Sequence, residues 1–248
     1  LRLQSTTNIM TRADVIVVAS VSCIYNIGNP SEYGKFELPI YPGLHTDWTV
    51  LGESLIRMQY RRGEFEFGRG SFRLRGNNFD IYPAYQDTAY RVQIDNGIVT
   101  AISEFDPISG LTTDSQLPTT GIVIYPAKHY LLDQERFLKV EAEIRADLEK
   151  EYLALKTKGK LVEAQRLLQR TNYDLETMKE LGFVNGIENY SRYFDGREIG
   201  ERPYCLPDYF RHAYGDNWLC IVDESHMTIP QIRGMYNGDQ ARKRTLVD

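Results

Sequence analysis

The sequence has little cysteine. Its three residues, Cys23, Cys205 and Cys220, are far apart and form no C-x-x-C pair, which argues against a disulfide framework and a zinc site. It also lacks an apolar run near the roughly 18 residues that a membrane span needs, and its start lacks the order of a signal peptide. We therefore expect a cytoplasmic protein with no membrane partner.

No excess of charge identifies a partner. With 29 Lys and Arg against 34 Asp and Glu the net charge is −5, so any nucleic-acid site must be local. A content of 42% hydrophobic and 25% charged residues is typical of a globular chain. Because the sequence opens on Leu1 rather than Met, we expect a piece of a longer protein.

Two apolar runs lie near the ends of the chain. Residues 14–20 and 218–222 lack polar alternation, a pattern typical of strands buried on both faces of a parallel sheet. The segment between them is far longer than the dozen or so residues that a parallel crossover needs. The sequence therefore predicts an α/β fold, in which inserted domains interrupt a parallel-sheet domain.

The first insert should be a small antiparallel sheet. Residues 64–67 and 71–75 alternate with period two around Gly68-Arg69-Gly70, which predicts a β-hairpin. Further elements are expected as strands at 79–82, 90–94 and 98–105 and as one helix at 52–60. This insert is predicted to be a small α+β domain.

The second insert should be helical. Apolar residues keep helical spacing from Asp133 to Gly182, with a break at Gly159, which predicts two antiparallel helices. Their charges are intermixed, so a plain helical spacer is the alternative to a functional role. The expected domains are 1–34 and 214–248 for the parallel-sheet domain, 35–127 for the α+β insert and 128–213 for the helical insert.

The strongest chemical signal is Asp223-Glu224-Ser225-His226, directly after the second apolar run. Carboxylates at the carboxyl end of a strand lie where α/β sheets bind ligands. There Asp223 can hold the magnesium of a nucleotide and Glu224 can orient the attacking water. The alternative is structural, with Asp223 capping the next helix and Glu224 an acid in its first turn. The four residues resemble the DExH box of superfamily 2 helicase-type ATPases, whose first domain is RecA-like.

Such an ATPase also needs a phosphate-binding loop of the form G-x-x-x-x-G-K-[ST]. The nearest candidate, residues 28–36, has five residues instead of four between its glycines, and Phe36 replaces the hydroxyl residue. We therefore expect this chain to hold half of a nucleotide site, with the loop upstream of Leu1.

A local cluster of arginines is the second signal. Arg57, Arg61, Arg62, Arg69, Arg73 and Arg75 stand against Glu64 and Glu66. Alternation should put Arg73 and Arg75 on the outer face, while Phe72 and Leu74 point into the core. A solvated sheet face, an acidic protein partner and DNA phosphates are all compatible with this cluster.

Tyrosines and histidines carry weaker signals. Several of the 17 tyrosines accompany arginines near 170–197, a mixture that suits base stacking, although burial is the commoner reason for tyrosine. The histidines His45, His129 and His212 share no metal-ligand spacing with other residues, and we assign them no metal and no catalytic role.

Several motifs together resemble one family. They are V-V-A-S-V-S-C-I-Y at 17–25, Y-D-L-E at 173–176, G-I-E-N-Y-S-R at 186–192, D-E-S-H at 223–226 and R-G-M-Y-N-G-D at 233–239. They resemble the UvrB family, the B subunits of the bacterial UvrABC excinuclease. The resemblance runs essentially from end to end and fades to pattern only between residues 84 and 122.

The resemblance implies a damage-recognition subunit of nucleotide excision repair, with UvrA, UvrC and damaged DNA as partners. It implies that the small insert docks on UvrA through Arg62, Arg69, Arg73 and Arg75, and that the helical insert forms one side of the DNA path. Arg170, Glu188, Tyr190, Arg192 and Gln231 match motif positions near DNA or nucleotide. Gln93 departs from the family pattern, in which an acidic residue is expected.

The resemblance also implies ATP and magnesium as cofactors of the whole protein, with Asp223 near the metal and Asp223 and Glu224 as catalytic residues. For this chain alone we expect no bound cofactor and no ATPase activity. Two alternatives remain open: the UvrA-binding module of a transcription-repair coupling factor, and a pure protein-interaction fragment.

Overall fold

The structure is a computed structural model, and it describes residues 1–25, 27–64, 66–113, 121–131, 134–182, 184–198 and 200–247. Its helices are α1 (Arg2–Thr11), α2 (Val21–Ile24), α3 (Pro30–Tyr33), α4 (Trp48–Arg57), α5 (Gln134–Thr157), α6 (Leu161–Leu181), α7 (Ser191–Asp195), α8 (Leu206–Tyr214) and α9 (Ser225–Val247). Its strands are β1 (Leu38–Ile40), β2 (Arg61–Arg62), β3 (Ser71–Arg75), β4 (Asn78–Tyr82), β5 (Ala89–Asp95), β6 (Ile98–Phe105) and β7 (Ile122–Ile124).

The α+β insert is built on a five-stranded sheet with strand order β2-β3-β4-β5-β6. All neighbours are antiparallel except β2 and β3, which are parallel, and β1 pairs separately with β7. Helix α4 covers one face, where Leu51 and Leu55 join Phe79 and Val92 in one buried cluster. It begins at Asp47, whose carboxylate accepts hydrogen bonds from the amides of two first-turn residues. The mixed sheets and the helices confirm the α/β class, and the strands expected at 79–82, 90–94 and 98–105 are β4, β5 and β6.

The expected hairpin between 64–67 and 71–75 is wrong. Strand β3 forms its hairpin with β4, and its other neighbour is β2, which runs parallel to it. The described residues of 64–67 lie in no strand, and Phe65 lies outside the described residues. The turn is bonded into the sheet, since the Gly70 amide donates to the Tyr82 carbonyl at 2.8 Å.

The helical insert confirms two antiparallel helices, α5 and α6. They meet at Gly159, whose φ of +74° lies in the left-handed region that favours glycine. Val140 and Ile144 of α5 pack with Leu175 and Met178 of α6 in one buried cluster. Asp133, the expected start of the helical pattern in this insert, lies outside the described residues.

The expectation that residues 14–20 and 218–222 form buried strands of a parallel sheet is wrong. Residues 15–20 and 217–222 have no regular secondary structure, and neither belongs to a described sheet. Val18 is 96% exposed and Leu219 is 81% exposed. A run of apolar residues becomes a buried strand only beside another strand that takes its backbone hydrogen bonds, and no strand of the described residues lies beside either run.

A third buried cluster joins the first residues of the chain to α8, at the end of the helical insert. Ile9 of α1, Tyr33 of α3 and Tyr209 of α8 pack in it, and the His129 ring lies against both tyrosines. A Cβ added at Gly28 would lie 2.4 Å from the His129 carbonyl oxygen, so only glycine fits there. Helices of membrane-crossing length and apolarity are absent from the described part of the chain.

The enclosed His129 predicts a pH dependence of folding stability. Burial, with a smaller contribution from the charge of Arg2, lowers the pKa of His129 from 6.5 to about 4. The unfolded chain therefore binds a proton that the folded chain excludes, and stability should fall by about 3 kcal/mol as the pH drops from about 6.5 towards 4, with about 2 kcal/mol of this lost by pH 5. Urea unfolding of wild type and His129→Phe at pH 7 and pH 5 measures this loss.

In the His129→Phe variant the stability difference between pH 7 and pH 5 should shrink. The matched control is His212→Phe, because His212 is exposed on α8 and should keep the wild-type pH dependence. If the drop in stability between pH 7 and pH 5 is the same in both variants, the assignment of this drop to His129 is contradicted.

Candidate functional site

Arg73 and Arg75 of the predicted arginine cluster lie on the sheet face opposite α4, whereas Arg57 belongs to α4 and Arg62 pairs with Phe72 on the α4 side. Arg73 of β3, Asp80 of β4 and Arg91 of β5 are direct neighbours in the strand register. Directly opposed residues of antiparallel strands have side chains on the same face, within reach of each other. The register therefore places a carboxylate between two guanidinium groups.

Arg73 does not project into solvent, contrary to the expectation from alternation. Its side chain is only 11% exposed, and its Nε donates to Asp80 Oδ2 at 3.1 Å. Its guanidinium carbon lies 4.0 Å from the centre of the Phe67 ring. Leu74, expected in the core, is 37% exposed. Alternation gave the correct face for Arg73 and failed on its exposure, because Asp80 and Phe67 enclose it.

Arg91 belongs to the same arrangement, and the sequence reasoning missed it. Its Nε donates to Asp80 Oδ1 at 2.8 Å and its Nη2 to Oδ2 at 3.1 Å, and the guanidinium lies 4.5 Å from the Phe105 ring centre. The hydrogen bond with fully buried Asp80 raises the pKa of Arg91. The signal that could have found it is Asp80 itself, a lone acid between Phe79 and Ile81, which demands a cation on each neighbouring strand.

Arg62, Arg69 and Arg75 are exposed, as the sequence predicted. Arg62 forms an ion pair with Glu64, and Arg69 forms one with Asp87. Both pairs are solvent-exposed, and such pairs are worth about 0 to 1 kcal/mol. A partner's carboxylates could therefore replace Glu64 and Asp87 at little cost.

Arg75 lies at the end of β3, in a cross-strand row with Asn78 and Gln93. Gln93 is exposed and carries no charge, so this row offers no carboxylate to Arg75. Arg62 of β2, Arg69 of the β2–β3 connection and Arg75 of β3 all lie at the β2–β3 edge of the sheet, and we call this edge the exposed arginine face.

Asp223 and Glu224 lie in an exposed turn at the start of α9. The Asp223 carboxylate accepts the Glu224 amide at 2.9 Å, and Glu224 Oε2 lies 3.3 Å from His226 Nδ1. The Glu224 carbonyl accepts the amides of Met227 and Thr228, so Glu224 supplies the first helical hydrogen bonds. Within the described ranges, no three His, Cys, Asp or Glu residues form a group that could hold a metal ion.

The residues expected near DNA or nucleotide lie on several elements. The Tyr190 hydroxyl donates to Asp174 Oδ2 at 2.8 Å, and Arg170 Nε pairs with the same carboxyl group at 2.9 Å. Burial, together with Asp174, raises the pKa of Tyr190 to about 12. Arg192 pairs with Asp147 at 3.0 Å. The structure thus brings Arg170 and Tyr190 together on one buried carboxylate.

Glu188 and Gln231, the remaining residues of that set, lie on two other elements. Glu188 belongs to the 3-10 helix Ile187–Tyr190, in the segment that joins α6 to α7. Gln231 is exposed on α9, the helix that begins beside Asp223 and Glu224.

The buried carboxylate predicts a large effect on stability. Asp80→Asn removes the charge between Arg73 and Arg91, and breaking a buried ion pair on one side should cost about 3 to 5 kcal/mol of unfolding free energy. Asp87→Asn is the matched control, because Asp87 pairs with Arg69 in solvent and its loss should cost under about 1 kcal/mol. Urea unfolding measures both, and a similar small loss in both variants would contradict the role of Asp80.

Comparison with known proteins identifies the two inserts. Residues 38–130 match the UvrB interaction domain, and residues 135–196 match the UvrB third helical domain. Over 248 residues the chain is 48% identical to UvrABC system protein B of Synechococcus elongatus, 47% identical to that of Acaryochloris marina and 46% identical to that of Dehalococcoides mccartyi. It spans 36% of the length of each of these relatives. Since both UvrB domains are present and the identity covers the whole chain, the chain belongs to the UvrB family.

Proposed function

We propose that this chain is the UvrA-docking and DNA-path part of a damage-recognition subunit in nucleotide excision repair. The observation that carries the proposal is the exposed arginine face, which lies within the UvrB interaction domain. The relatives are named UvrABC system protein B. The A and C proteins of such a system are therefore the natural candidates for partners. UvrA is the proposed partner of this face.

The chemistry of the face suits a protein partner that presents carboxylates. The arginine fork binds a carboxylate through two parallel hydrogen bonds, and Arg62, Arg69 and Arg75 offer three such forks. Two of them are held in weak exposed pairs, and Gln93 adds no competing charge. UvrA should therefore bring acidic residues to this face.

Reversing the charge on this face should abolish UvrA binding. The double change Arg62→Glu and Arg75→Glu places carboxylates against the carboxylates of UvrA, and the loss should reach about 3 kcal/mol or more, over a hundredfold in Kd. Both side chains are exposed, so the fold should survive. Titration of purified UvrA against both chains measures the loss, with circular dichroism as the folding control.

The matched control is Lys156→Glu with Lys158→Glu, at the exposed tip of the helical insert. It makes the same change in net charge on another domain and should bind UvrA like the wild type. Unchanged affinity in the folded arginine double variant would show that docking lies elsewhere.

We further propose that Asp223 and Glu224 serve ATP in the whole protein. Magnesium takes one or two carboxylates and completes its shell with phosphates and water, and the exposed Asp223 carboxylate suits that role. Glu224 would orient the attacking water. The sequence holds no G-x-x-x-x-G-K-[ST] loop, so the groups that cradle the phosphates are not among its residues.

The chain alone should therefore not hydrolyse ATP. Phosphate release should stay at background for both wild type and Glu224→Gln, because the sequence holds no loop that could cradle the phosphates for transfer. In a whole UvrB protein the same Glu224→Gln change should abolish turnover. If the chain alone hydrolyses ATP and Glu224→Gln removes that activity, the proposal that this chain holds only half of the nucleotide site is contradicted.

For the helical insert we propose a place along the DNA path, with Arg170, Glu188, Tyr190, Arg192 and Gln231 near DNA or nucleotide. The internal pairs of Arg170, Tyr190 and Arg192 support a role in shaping this segment more than in stacking bases. Damaged DNA and UvrC are the proposed further partners of the whole protein, and its proposed location is the cytoplasm. We also propose that the domains span 1–34 and 214–248 for the ATPase domain, 35–127 for the α+β insert and 128–213 for the helical insert.

A further inference from the structure

Two arginines, one carboxylate and two aromatic rings form a closed ring of contacts on the polar face of the sheet. Asp80 pairs with Arg73 on one side and with Arg91 on the other. Each guanidinium lies over an aromatic ring, Arg73 over Phe67 and Arg91 over Phe105. The rings of Phe67 and Phe105 complete the circle of contacts, because they stack with 6.1 Å between their centres and 6° between their planes. We call these five residues the ring clamp.

Four members of the ring clamp are fixed by the sheet. Arg73, Asp80, Arg91 and Phe105 lie on β3, β4, β5 and β6. Phe67 lies in no strand, and it belongs to the connection between β2 and β3. Its ring also contacts that of Tyr82 at 5.6 Å. The clamp therefore attaches a loop to an otherwise rigid sheet.

The attached loop carries part of the exposed arginine face. Residues 66–70 include Arg69, and the Gly70 that follows is bonded to the sheet on both sides, through the Tyr82 carbonyl and the Arg61 amide. The face thus has Arg75 on a strand, Arg62 at the start of the connection and Arg69 on the loop. Their spacing depends on where Phe67 holds the loop.

We propose that Phe67 is a positioning residue of the docking face, held in place by the ring clamp that Arg73 and Arg91 complete. The flat guanidinium of Arg73 gives the Phe67 ring a surface to stack on, and Asp80 keeps that guanidinium in place. Arg62, Arg69 and Arg75 are then presented at one fixed spacing to the carboxylates of the partner. The docking part of this inference rests on the proposed function, whereas the clamp itself does not.

Three variants separate ring stacking from simple burial. Phe67→Leu keeps an apolar side chain but removes the ring, Phe67→Tyr keeps the ring, and Arg73→Lys keeps the charge towards Asp80 but removes the flat surface. Loss of one desolvated contact between a cation and a ring corresponds to a change of about tenfold. We therefore expect Phe67→Leu and Arg73→Lys to raise the fraction of molecules with a detached loop about tenfold. Phe67→Tyr should behave like the wild type.

Trypsin reports on the loop without any partner. It cuts after Arg69, and both neighbouring hydrogen bonds of Gly70 must open for the chain to enter the protease. Cleavage between Arg69 and Gly70, measured by mass spectrometry against cleavage at Lys158 in the tip of the helical insert, should be about tenfold faster in Phe67→Leu and Arg73→Lys. Wild-type rates in both variants would overturn the clamp.

Titration of UvrA with the same variants tests the docking part. Phe67→Leu should bind about tenfold more weakly than Phe67→Tyr, while circular dichroism and cleavage at Lys158 remain those of the wild type. Faster loop cleavage with unchanged UvrA affinity would overturn the positioning role and leave the docking function standing. Failure of the wild-type chain to bind UvrA would overturn the docking function, and the cleavage rates would still decide whether the clamp exists.

Discussion

The buried charge of Asp80 constrains the rest of the interaction domain. A carboxylate that no water reaches is tolerated only with cations and hydrogen bonds around it, and Arg73 and Arg91 supply both from the two neighbouring strands. The pairing turns two arginines of a positively charged face inwards. One acid in the middle strand therefore determines which of these arginines remain exposed.

The helical insert uses carboxylates in the same way. Asp174 of α6 accepts the Tyr190 hydroxyl and pairs with Arg170, and Asp147 of α5 accepts the Tyr193 hydroxyl. These contacts join the segment after α6 to the two long helices. In both inserts, polar residues that look available for a ligand in the sequence first serve to hold a connection in place.

How far the sequence predicted the structure depended on the range of the interactions involved. The helices α5 and α6 and the meander β4 to β6 rest on local periodicity and turns, such as the left-handed Gly159, and they were predicted. The strand expected at 14–20 depends on a neighbouring strand, which local pattern does not reveal. The family motifs predicted the family of the small α+β insert, and residues 38–130 match the UvrB interaction domain. Alternation could not show that Asp80 and Phe67 cover Arg73, because neither contact is local in sequence.

An experimental structure of this chain bound to UvrA would test the account most directly. The account predicts that Arg62, Arg69 and Arg75 contact carboxylates of UvrA while Arg73 keeps its pair with Asp80 and its place against the Phe67 ring. A complex in which Arg73 leaves Asp80 to bind UvrA, or in which UvrA covers another surface of the chain, would contradict it.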